Sequence, residues 1–199
     1  FKPDGNPQTD TLNSGKCNTV QVVPIGNSGA VVIDGGDREE HGNALRGPDN
    51  IAGTADDINT NGWLFIEQIV NFTYTGSKNN APNDVLVLGA TGGGFGGGTL
   101  AAITSATTVL GLTQTVVTGA AAISAVNFNN FKVIYVPSTL LQTSGGITTA
   151  ELDALTLRKV EIQNYINSGG SLVAMTEADE AVPYGFLELP LPFQIEDNF

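Results

Sequence analysis

TTAELDALTLRKVEIQNYINSGGSLVAMT, residues 148–176, is the stretch on which the fold turns. Thr148 and Glu151 stand at the spacing of a capping box, in which a hydroxyl and a carboxylate satisfy the free amides at a helix start. The pattern predicts a helix to about Asn167. Gly169-Gly170 stops it, since glycine takes the left-handed conformation that ends helices. SLVAMT follows directly as a strand.

Working outward, Lys132 to Pro137 (KVIYVP) is a buried strand, with a connector at Asn127 to Phe131 before it. Gln114 to Thr118 is another strand. Thr99 to Leu110 reads as a helix ended by Gly111, and Gly92 to Gly98 is a glycine-rich turn. Asp84 precedes VLVLGA, an unbroken apolar run suited to a strand covered on both faces. Trp63 to Tyr74 carries an apolar stripe at helical spacing (Trp63, Phe65, Ile66, Ile69, Val70, Tyr74). Near the start, TVQVVPIG and AVVIDGG are two strands separated by Gly26-Asn27-Ser28-Gly29, a pair that could form a hairpin. Apolar strands with crossovers long enough for parallel pairing predict an α/β domain with a doubly wound, mostly parallel open sheet. The domain is expected over residues 20–182, with a polar arm at 1–19, a long acidic loop at 34–62 and an extended tail at 183–199.

Residues 85–187 resemble the flavodoxin-like domains related to class I glutamine amidotransferases, including the ThuA-like branch. VLVLGA, LGLTQTVVTG, NFNNFKVIYVPST and ITTAELDALTLRKVEIQNYINSGGSLVAM carry the resemblance. An acidic helix ending in Y-x-x-x-G-G and running straight into a buried strand is its most specific part. The resemblance implies a nucleophilic cysteine on the turn after KVIYVP. Here that turn reads Pro137-Ser138-Thr139, and Cys17 and His41 cannot assemble a Cys-His-Glu set. The resemblance therefore carries the fold and not the chemistry.

The chain has 20 acids against 8 bases, a net charge of −12, and no base after Lys159. Phosphate backbones are bound by clustered Lys and Arg, so nucleic acid and anionic membrane surfaces are not expected partners. No run approaches the roughly 20 apolar residues of a membrane span. Few lysines, many Asn, Thr, Gly and Ser, and a single cysteine fit a bacterial protein exported to the surface or medium. The start at Phe1 leads us to expect a mature or excised piece of a longer precursor.

Three clusters could carry chemistry. Asp57-Ile-Asn59-Thr-Asn61-Gly62 fits the start of a calcium loop: alternating oxygen ligands converge on a hard cation, and Gly62 permits the turn. Leu64 sits where such loops place an apolar anchor. The twelfth position is Gln68 and the nearest acid is Glu67, so the expectation is a looser extracellular calcium loop helped by Asp56 and Asp49. The plain alternative is a polar loop of turn and cap formers. Gly92, Gly94 and Gly97 formally make a dinucleotide turn, but the next strand ends in Thr-Gly-Ala without an acid for a ribose, so no nucleotide cofactor is expected. Asp34, Asp37, Glu39, Glu40 and His41 follow a strand, where α/β sites sit, and could do acid–base work. Glu177, Asp179 and Glu180 after the last strand could face them across a pocket that also takes in Gly92, Gly94 and Ser138. The alternative there is a solvated acidic loop.

The leading expectation is a non-catalytic, calcium-stabilised domain that serves assembly, adhesion or structure and docks onto other domains or copies of itself. One rival is an amidotransferase-like or ThuA-like hydrolase acting on a sugar or amide at the carboxyl edge. Another is a small-molecule binder using the glycine-rich turn.

Overall fold

Each central strand must be apolar at every position because it lends alternate residues to two cores. The computed structural model describes residues 19–22, 24, 26–36, 38–41, 61–92, 98–141, 144–176 and 180–188. Its strands are β1 (Thr19–Val22), β2 (Val31–Asp34), β3 (Asn83–Leu88), β4 (Gln114–Val117), β5 (Phe131–Val136) and β6 (Ser171–Ala174). They form one sheet in the order β1-β2-β6-β5-β3-β4. All neighbours are parallel except the β1–β2 hairpin. Read from the other edge, β4-β3-β5-β6-β2 is the strand order of a flavodoxin-like sheet, with its fifth place filled by a strand from the N-terminal region.

The helices are α1 (Arg38–His41), α2 (Asn61–Gly76), α3 (Gly98–Val109), α4 (Ala120–Ala125), α5 (Thr149–Thr156) and α6 (Lys159–Asn167). One core holds Val85, Val87, Val133, Tyr135 and Val173 under Trp63, Ile66, Ile69 and Val70 of α2 and Ala102, Ile103 and Ala106 of α3. The other holds Leu86, Leu88, Ile134, Val136 and Leu172 with Ile123 of α4, Leu152 and Leu155 of α5, and Ile162 and Tyr165 of α6. Helices thus cover both faces, as the sequence predicts. Burying one such Leu, Ile or Val side chain is worth about 1.5–3 kcal/mol.

Four details depart from the sequence reading. The helix expected over 148–167 is two helices, broken at Leu157-Arg158. Arg158 donates from Nη1 to the Ile123 carbonyl at 2.6 Å and stacks its guanidinium 3.8 Å above the Phe128 ring, which holds the break in place. Helix α4 occupies residues 120–125, between the expected strand at 114–118 and the expected connector at 127–131, where the sequence pattern assigns no element. The long loop after β2 begins with helix α1. Residues 183–187 fold as turns that bury Tyr184, Phe186 and Leu187 in the second core, so the tail proper, 189–199, lies outside the described residues. The capping box is present: Thr148 Oγ accepts from the Glu151 amide while Glu151 accepts from the Thr148 amide.

Candidate functional site at the carboxyl edge of the sheet

In an open α/β sheet, ligands bind outside the carboxyl ends of the strands where the crossovers part to opposite sides. That point here lies between β3 and β5. From β3 the chain passes through α3 to β4 on one side, and from β5 it passes through α5 and α6 to β6 on the other.

The chain itself fills this crevice. The segment after β5 folds back so that the Ile147 amide donates to the Ser138 carbonyl at 3.0 Å and the Leu140 amide to the Ile147 carbonyl at 2.8 Å. Ile147 is fully buried against the start of the β3 loop. A Cβ at Gly89, whose φ is +74°, would sit 2.5 Å from Ile147 Cγ1, so only glycine admits the isoleucine here. The segment is stitched to the opposite wall. The Thr91 amide donates to the Gly145 carbonyl at 2.8 Å, and the Thr99 hydroxyl donates to the Ser144 carbonyl at 3.1 Å.

Beside this crevice, two buried acids are handled in opposite ways. Asp34 ends β2 with no exposed surface and is met by Arg38, whose Nε donates to Oδ2 at 2.7 Å. The same guanidinium lies 4.5 Å from the Phe65 ring centroid, an apolar stacking that a planar cation tolerates. Glu39, on α1, has neutral partners. The Tyr135 hydroxyl donates to Glu39 Oε1 at 3.0 Å, and the Ser138 amide to the same oxygen at 3.3 Å. Ser138 Oγ lies 2.8 Å from Oε2. The Trp63 indole donates to the Glu39 carbonyl at 3.1 Å. Burial outweighs these bonds and pushes the Glu39 carboxyl up to about 7. Burial, with the carboxylate of Glu39 next in effect, holds the Tyr135 phenol well above its usual range. Thr139 and Thr176, which follow Ser138 and Met175, are buried with hydroxyls that find no partner among the described residues.

Of the residues expected from the sequence to form a pocket, Asp34 and Ser138 come to this edge and are buried, and Gly92 is exposed just after the β3 turn. Asp37, Gly94, Glu177 and the side chain of His41 lie outside the described residues. So do the calcium-loop residues Asp49, Asp56, Asp57 and Asn59. Two parts of that motif are visible. Asn61 and Gly62 lie in the first turn of α2, so Gly62 does not make the sharp bend that a twelve-residue calcium loop needs. Leu64 is 41% exposed, and Glu67 sits half-buried a turn further on. Among the described residues no group of three or more His, Cys, Asp or Glu is placed to hold a metal.

Sequence reasoning included Glu39 in an acidic set but did not separate it from its neighbours. Tyr135 was read only as core. Its hydroxyl is the partner that a strand pattern cannot reveal.

Fold and site together define an open, doubly wound α/β domain of flavodoxin-like arrangement. Neither a protein-family model, a curated protein nor a solved structure matches the chain.

Proposed function

We propose that this chain is a non-catalytic domain of an exported surface or extracellular protein, serving assembly, adhesion or structure, on a frame related to the amidotransferase-like and ThuA-like superfamily. The filled crevice carries the non-catalytic reading. A reactant attacked by a group at the Ser138 turn needs room beside it, and Ile147 and the Gly145 carbonyl occupy that room. Export rests on the acidic, lysine-poor composition. Calcium is the stabilising ion in this reading, taken by Asp57 and Asn59 just ahead of α2, with Asp49, Asp56, Asn61 and Glu67 near them in sequence. Pinning that segment would offset a backbone entropy of about 1–2 kcal/mol per ordered residue.

The hydrolase reading has one observation in its favour. Ser138 Oγ lies 2.8 Å from a carboxyl that titrates near neutrality, within reach for a general base. A serine-directed fluorophosphonate separates the two. Unlabelled Ser138 in the folded protein is expected. Labelling of Ser138 that E39Q suppresses would establish the hydrolase instead. The calcium component is tested by thermal unfolding with the ion and then with chelator. The midpoint should rise with calcium, and an unchanged midpoint removes it from the proposal.

A further inference from the structure

Ser138 Oγ has one proton and three acceptors around it: Glu39 Oε2 at 2.8 Å, the Met175 carbonyl at 3.3 Å and the Gly36 carbonyl at 3.4 Å. If Glu39 is ionised, the seryl proton goes to the carboxylate and neither carbonyl receives it. If Glu39 carries a proton on Oε2, that proton goes to Ser138 Oγ and the seryl proton passes to Met175 or Gly36. Oε1 meanwhile accepts from the Tyr135 hydroxyl and the Ser138 amide in either state. The neutral form therefore uses one more donor and satisfies one more acceptor. It also avoids burying a negative charge that lacks a described cation partner beside the Arg38-paired Asp34.

We infer that Glu39 is a neutral carboxylic acid in the folded domain and works as a latch, holding α1 to the carboxyl ends of β5 and β6 and releasing it when it ionises. Among the described residues the groups facing it are few. From β2 comes Asp34, already paired with Arg38. From β5 come Tyr135 and Ser138, and from β6 only the Met175 carbonyl. Helix α2 presents the Trp63 indole, with Glu67 a turn further on, and α3 has no titratable residue. His41 stands on α1 itself, its side chain outside the described residues. The one cation described at the latch is thus committed to Asp34, and the upward shift of Glu39 agrees with the bonding pattern.

Hydrogen exchange of the whole chain, read by mass spectrometry at about pH 5.5 and about pH 8.5 and corrected for intrinsic rates, tests this. Amides of α1 and Ser138 should open at least about tenfold more at the higher pH, while β3 stays level. E39Q, whose amide mimics the neutral acid, should exchange at both pH values as the wild type does at the lower one. Corrected exchange that ignores pH, or a pH response that survives in E39Q, overturns the latch. Should E39Q fail to fold, infrared spectra of the wild type decide. A protonated-carboxyl stretch must persist at about pH 6 and vanish by about pH 8.5, and its absence at the lower pH overturns the proposal.

Discussion

Asp34 and Glu39 are five positions apart and equally buried, yet among the described residues only the first has a cation. An acid buried among neutral donors binds its proton more tightly in the folded chain than in the unfolded one. Between its ordinary value of 4.5 and its folded value of about 7, the native state therefore holds more protons than the unfolded state. The stabilising contribution is fully present below about pH 4.5 and declines as pH rises to about 7, by on the order of 3 kcal/mol. Denaturant unfolding across that window should show the decline, and E39Q should flatten most of it. A wild-type profile that rises through the window would contradict the burial argument. The residue scale is also where the sequence says least. In Arg38-Glu-Glu-His41 nothing local marks Glu39, because its partners come from Tyr135 and Ser138, 96 and 99 positions away.

At the scale of elements, the sequence was most readable where one pattern ran long. The β3, β5 and β6 runs are apolar at both parities because each feeds two cores, and the structure shows both. Helix α4 escaped because it has six residues, with Ile123 its one buried position, too short for a periodicity. The break between α5 and α6 escaped because a distant carbonyl and the Phe128 ring hold Arg158, while Leu157 is left 89% exposed. The filled crevice was equally hidden: Ser144-Gly-Gly-Ile147 reads as a turn, and its position over Gly89 is tertiary. Ile147→Ala should cost about 2–5 kcal/mol by denaturant unfolding, the range for a fully buried aliphatic truncated without collapse of its site. A loss under about 1 kcal/mol would mean that the segment does not pack into the crevice as described.

At the scale of the whole molecule, the N-terminal hairpin completes a sheet whose other strands lie between residues 83 and 174. The Ala30 amide meets Ser171 Oγ across 141 positions, and Val31 pairs with Leu172. Closing so long a loop is entropically costly before any contact rewards it, and distant pairings of this kind form slowly. The order of assembly is therefore written into the strand order. The β3–β6 sheet should form first as a scaffold with one bare edge, and β2 should dock onto β6 afterwards. Pulsed hydrogen exchange during refolding should find protection in β3 and β5 before β2, and simultaneous protection would count against this sequence of events. Until β2 arrives, the edge of β6 stands open to any other extended strand, so the slowest step of folding is also the moment when copies of this chain can exchange their N-terminal strands.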